Sequence, residues 1–152
     1  MKRLILLLLL VVIALAATSA VAKDWSKVRV GVEGAYPPFS YVTPGGELAG
    51  FDIDIAKALV EAMGAEITLV PQDWDGIIPA LLAKKYDAII ASMSITEERK
   101  KKVAFSKKYY NTPAKFVCKK GDITDFSKEA IKGKRVGVQR ATIHDRYLTD
   151  NY

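Results

Sequence analysis

Asp87-Ala88-Ile89-Ile90-Ala91-Ser92-Met93-Ser94-Ile95-Thr96-Glu97-Glu98-Arg99 is the stretch that decides the fold. Its first five residues are short and almost wholly apolar, as in a central strand covered on both faces. The hydroxyls and acids that follow read as a strand end running into a helix start. Upstream, Val28-Arg29-Val30-Gly31-Val32 alternates and is β-branched, so it predicts a second strand. Glu33-Gly34-Ala35-Tyr36-Pro37-Pro38-Phe39 then forms a loop stiffened by two prolines. Ser40-Tyr41-Val42 reads as a short strand, and Thr43-Pro44-Gly45-Gly46 as a turn. Residues 51–63 read as a helix with Phe51, Ile55, Leu59 and Ala62 on one apolar face and Asp52, Asp54, Lys57 and Glu61 pointing elsewhere. Gly64 stops it, and residues 65–70 form a third strand. Asp73-Trp74-Asp75 opens and caps a second helix whose stripe is Ile77, Ile78, Leu81 and Leu82, with Pro79 tolerated in the first turn. Strand, helix, strand, helix, strand is an α/β pattern with a parallel sheet.

The N-terminus reads as an address. Lys2 and Arg3 precede fourteen unbroken apolar residues, 4–17, and Ala20-Val21-Ala22 fits a cleavage site. At about 1.5 Å per residue that run spans roughly 21 Å, short of a hydrocarbon core of about 30 Å. Residues 1–22 are therefore expected to be a cleaved signal peptide. An exported protein rarely meets nucleic acid, so the formal charge of +6 reads as solvated surface. Six basic residues and no acid lie between positions 99 and 108. The lone Cys118 excludes an intrachain disulfide and a multi-cysteine zinc site, and no metal or cofactor is expected.

Ligands of open α/β sheets bind beyond the carboxyl ends of the strands. The three strand ends offer Glu33 and Tyr36; Asp73, Trp74 and Asp75; and Ser92, Ser94, Thr96 and Arg99. An acid, two aromatics, hydroxyls and one arginine suit a small zwitterion. Arg99 stands just past a helix start, where it either meets a carboxylate with two parallel hydrogen bonds or is one more surface cation. Tyr36 and Trp74 either sandwich a ligand side chain, with Glu33 at its far end, or pack structurally. Ser92 and Ser94 either bind ligand or cap a helix. The binding reading requires Glu33, Tyr36, Trp74 and Arg99 to surround one hollow.

These residues lie in stretches that resemble the periplasmic polar amino-acid-binding proteins of ABC importers (solute-binding protein family 3), in particular the lysine/arginine/ornithine- and histidine-binding group. The matching stretches are residues 30–39, Gly50-Phe51-Asp52-Ile53-Asp54-Ile55, residues 73–81 and residues 84–99. The resemblance implies a periplasmic-binding-protein-like (type II) fold, with a first lobe of mostly parallel sheet flanked by helices. Residues 23–110 would be lobe 1, residues 111–114 a hinge strand, and residues 115–152 the start of an incomplete lobe 2, with a strand at 135–138. Arg99 would clamp the ligand's α-carboxylate, Ser92 and Ser94 would hold its carboxylate and ammonium ends, and Tyr36 and Trp74 would stack on its side chain. Glu33 would read the side-chain tip. After Val138 the family has Gln, a small residue, Gly and two hydroxyl residues. This chain has Gln139-Arg140-Ala141-Thr142-Ile143, so Ala141 replaces the glycine and Thr142 is the surviving candidate ligand group.

The resemblance implies a monomeric periplasmic protein that captures Lys, Arg, ornithine, His or Gln and hands it to a membrane permease, with no catalytic residue. Two alternatives stay open. One is an enzyme on the same scaffold, since cyclohexadienyl dehydratases and a class of lytic transglycosylases resemble this fold. The other is a gene fragment that binds amino acids weakly or not at all.

Overall fold

The computed structural model describes residues 23–152; the expected signal peptide lies outside the described residues. A parallel three-stranded sheet is built from β1 (Lys27–Val32), β5 (Glu66–Pro71) and β6 (Ala88–Ile89) in the order β5-β1-β6. β1 runs beside β5 from Lys27↔Glu66 to Val32↔Pro71, and meets β6 at Val30↔Ala88 and Gly31↔Ile89. A small antiparallel sheet, β2 (Ala35–Tyr36), β3 (Ser40–Val42) and β4 (Leu48–Ala49), sits between β1 and helix α1 (Phe51–Ala62) in the chain. A 3₁₀ turn at Trp74–Gly76 leads into α2 (Ile77–Leu82); α3 (Glu97–Lys100), α4 (Lys128–Ile131) and α5 (Ile143–Asn151) follow.

The α/β pattern and the parallel sheet agree with expectation, but the centre of the sheet does not. β1 is the middle strand, with Val28, Val30, Gly31 and Val32 all buried. The strand expected as central, β6, holds only two ladder residues at the sheet's edge, both half-buried. An apolar run reports burial, and here helices supply it from either side. Alternation on β1 sends Val28, Val30 and Val32 toward Ile53, Ala56 and Val60 of α1. The other face carries Tyr86, Ile77 and Ala80. Gly31 belongs to that second face: a Cβ there would lie 2.5 Å from the Tyr86 ring, so the ring lies directly on the strand backbone. The Tyr86 hydroxyl donates to the Ile77 carbonyl, which fixes α2 over the sheet.

Helix α1 is rotated from the expected face. Its buried residues are Asp52, Ile53, Ala56 and Val60, while Phe51 and Leu59 are exposed. Both stripes have helical spacing, but Ile53, Ala56 and Val60 fill the space over three β1 valines. Gly50 sets the rotation. Its φ of 118° and its lack of a Cβ let the Pro38 and Phe39 carbonyls approach. Those carbonyls accept the N–H groups of Phe51 at 3.2 Å and Asp52 at 2.8 Å, which pins the first turn. On α2, Ile77 and Ala80 are buried and Leu82 is exposed, so the inward stripe is narrower than expected.

Asp87 ties the sheet together below β6. Its carboxylate accepts the Arg29 backbone N–H at 2.9 Å and Arg29 Nη2 at 3.0 Å, and pairs with Lys23 at 2.6 Å. Its side chain is 6% exposed, and these donors hold its pKa well below the usual carboxylate range.

Past residue 103 order is sparser. The strands expected at 111–114 and 135–138 are not formed: neither segment has a paired neighbour among the described residues, and extended backbone becomes a strand only by sharing hydrogen bonds. Val117, Val136 and Val138 are exposed.

Candidate functional site

The carboxyl ends of β1, β5 and β6 deliver Glu33, Trp74 and Ser92 to one edge of the sheet, as the topology requires. Arg99 lies half-buried on the single-turn helix α3. That helix is capped by Thr96, whose hydroxyl accepts the Arg99 N–H at 3.2 Å. The anion-binding capacity therefore resides in the guanidinium, not in free helix N–H groups. Arg99 Nη1 donates to the Ser94 carbonyl at 2.9 Å, and the guanidinium carbon lies 5.3 Å from the Trp74 ring centroid. Burial lowers the Arg99 pKa, so an anionic partner would recover lost solvation.

Arg99 and Trp74 converge on one atom. The Ala141 carbonyl oxygen accepts Trp74 Nε1 at 3.1 Å and Arg99 Nη2 at 3.2 Å. Two residues earlier, Gln139 Nε2 donates to Glu33 Oε1 at 2.5 Å. Burial raises the Glu33 pKa; the Gln139 hydrogen bond works against that rise, and the negative charges of Asp52 and Asp73 add to it. A cation at its tip would offset both the burial and the repulsion from the two acids.

The requirement that Glu33, Tyr36, Trp74 and Arg99 surround one hollow is not met, so an enclosing pocket does not carry the binding reading. What remains is Arg99 and Trp74 meeting at the Ala141 carbonyl, with Glu33 joined to them through residues 139–141. A cleft of about 790 Å³ opens between α2, α3 and α5, lined by Trp74, Ile78, Met93, Arg99, Thr142 and Arg146 among others. Glu33 and Tyr36 stand outside it, because the 139–141 segment bridges from Glu33 to the Arg99–Trp74 pair. Tyr36 instead stacks on Phe39 at 5.1 Å, in an aromatic series continued by Phe39 on Tyr110 at 5.3 Å.

Three hydroxyl candidates have local partners. The Ser92 hydroxyl lies 3.0 and 2.7 Å from the two carboxylate oxygens of Asp52, and its N–H donates to Tyr109 Oη at 2.8 Å. Tyr109 in turn donates to Asp52 at 2.8 Å. Ser92 stands at φ 49°, a left-handed conformation that these bonds hold in place. Ser94 presents its carbonyl to Arg99. Thr142 caps α5: its hydroxyl donates to the Gln139 carbonyl at 2.8 Å and accepts the Asp145 N–H at 3.1 Å. The expected side-chain capping by Asp73 and Asp75 is absent: Asp73 makes no cap bond, and Asp75 pairs with Arg140 at 2.7 Å.

Asp52 and Gln139 are named in the sequence reading but given no place in the site, and Tyr109 is not named there. Asp52 was legible as the flank of the alternative stripe Ile53, Ala56, Val60. Burial raises its pKa, against the Ser92 and Tyr109 hydrogen bonds that lower it. Nothing in the sequence marks Tyr109.

Residues 28–139 match the bacterial extracellular solute-binding proteins, family 3. The chain belongs to that family. This family 3 chain is 50% identical over 149 residues to the L-arginine-binding protein of Pseudomonas aeruginosa, an alignment covering 98% of this chain and 57% of the relative. It is 40% identical over 152 residues to the histidine-binding periplasmic protein of Escherichia coli, covering 100% and 58%. Among solved structures it resembles an ancestral arginine-binding protein bound to arginine, with a TM-score of 0.78 at 45% identity over 82% of this chain and 55% of that one. The chain thus spans less than two thirds of the length of these relatives.

Proposed function

We propose that this chain carries one side of a binding site for a cationic amino acid, in a periplasmic solute-binding protein that passes its ligand to the permease of an ABC importer. The single observation behind this reading is the meeting of Arg99 Nη2 and Trp74 Nε1 at one acceptor oxygen. A ligand carboxylate oxygen in that place would take both donors. Glu33, half-buried and raised in pKa beside two further acids, favours a cationic side-chain end. Residues 23–110 are read as lobe 1, residues 111–114 as the crossing out of it, and residues 115–152 as the start of lobe 2. The named relatives support the ligand class by what they bind, and one of them is periplasmic by name. Binding rather than catalysis fits the acids nearby: Asp52 is committed to Ser92 and Tyr109, and Asp75 to Arg140. The chain acts as a monomer and needs no cofactor.

Calorimetric titration with L-arginine, L-lysine, L-histidine and L-glutamine tests this. The expected result is weak binding that favours the cationic ligands. Arg99→Ala should remove about 2–4 kcal/mol, because a desolvated carboxylate loses its partner. Equal binding by the Arg99→Ala protein would refute the site. Because a cation binds ionised Glu33, affinity should be flat near neutrality and fall below the raised Glu33 pKa by up to about tenfold per pH unit. Glu33→Gln should flatten that profile.

A further inference from the structure

Resting on that reading, we propose that the 139–141 segment is a built-in stand-in for the ligand, which the ligand must displace to bind. Three consecutive residues offer the site both kinds of group a cationic amino acid would bring. Gln139 Nε2 gives a donor to Glu33, and the Ala141 carbonyl gives an acceptor to Trp74 and Arg99. The acid and the cation of the site are therefore satisfied by the chain itself.

The segment is held there by more than these contacts. Arg140 within it pairs with Asp75 at 2.7 Å, and Arg146 on the helix that follows pairs with Glu98 at 2.5 Å. The Ala141 N–H donates to Asp145 Oδ2 at 3.0 Å. Ala141 itself sits at φ 58°, a region that costs a residue with a Cβ, so the carbonyl is aimed at its two donors against local preference. A site occupied in this way binds with an apparent dissociation constant raised by the inverse of the fraction in which the segment has left. Weakening the segment's hold should tighten ligand binding. Relaxing its strained residue should weaken ligand binding.

The test uses the full chain with Trp25→Phe, which leaves Trp74 as its single indole. L-arginine is titrated into this protein and into its Gln139→Ala, Ala141→Gly and Arg99→Ala versions, followed by the ¹⁵N-indole resonance of Trp74. Gln139→Ala should move the ligand-free resonance and bind arginine roughly fivefold tighter, the worth of one lost hydrogen bond. Ala141→Gly, which removes the left-handed penalty, should bind roughly threefold weaker. If Gln139→Ala leaves the resonance in place, or binds arginine no tighter while Arg99→Ala still abolishes binding, the stand-in is wrong and the site reading survives. If Arg99→Ala titrates like its parent, the site reading fails. If Gln139→Ala moves the resonance and no version binds arginine, both fail, because a vacated site was required to be competent.

Discussion

Residues 28–91 carry 35 apolar side chains in 64 positions and residues 111–152 carry 15 in 42, and only the first stretch builds a core. Val28, Val30 and Val32 pack on α1, and Tyr86, Ile77 and Ala80 close the other face of the same sheet. In the second stretch Ile131 is the one hydrophobic side chain buried among the described residues, at 6% exposure, while Val117 is 93% exposed. The difference teaches that a core needs both enough apolar residues and paired strands that give them a common floor. β1 is flanked by β5 and β6; the segments 111–114 and 135–138 have no paired neighbour. The second stretch is held instead by polar contacts to the edge of the first.

The largest effect should come from the first region's core. Ile53 is fully buried against the β1 valines, so Ile53→Ala should cost about 3 kcal/mol in urea unfolding, through lost transfer energy and a cavity. Ile131→Ala, on a one-turn helix, should cost about 1 kcal/mol. Equal losses would erase the distinction between the regions.

The next effect sharpens the comparison through charge. Asp87 closes the sheet by accepting from Arg29 and Lys23, and its pKa is depressed by those hydrogen bonds. A carboxylate whose folded pKa lies below its unfolded value contributes stability that is complete above about pH 4 and is lost as pH falls. Asp87→Asn should cost about 1.5–3 kcal/mol at pH 7, and the loss should shrink in acid. A loss that is constant between neutral pH and acid would mean the bond does not depend on ionisation.

How far the sequence could be read follows the same divide. Strand alternation at 28–32 and the residues at each strand's carboxyl end were legible because they depend on local period and on a general rule of α/β sheets. The face of α1 was not, since two stripes of equal spacing compete and Gly50 decides between them through contacts with Pro38 and Phe39. Arg99 and Trp74 were legible as a pair by chemistry. Their shared acceptor was not, because it comes from a loop 42 residues beyond Arg99 whose position depends on tertiary contacts. Thr142 was chosen for its hydroxyl, but a hydroxyl just before a helix is also the natural cap, and α5 uses it so.

The smallest effect concerns what holds the two regions together. Arg140–Asp75 joins them directly, Arg146–Glu98 ties the second to α3 just beyond the first, and in both pairs the partners are largely exposed. Water screens such pairs, so each should contribute at most about 1 kcal/mol, less at high salt. Arg146→Ala should therefore leave the unfolding midpoint of the core almost unchanged. It should speed hydrogen exchange in α5 severalfold at low salt, with the difference from the parent narrowing as salt is added. The core amides of β1 provide the internal reference, because no ion pair to residues 139–146 touches them. If Arg146→Ala left exchange in α5 unchanged but lowered core stability by as much as Ile53→Ala, the two regions would unfold as one unit. The sheet would then owe its stability to the segment that lies over its edge.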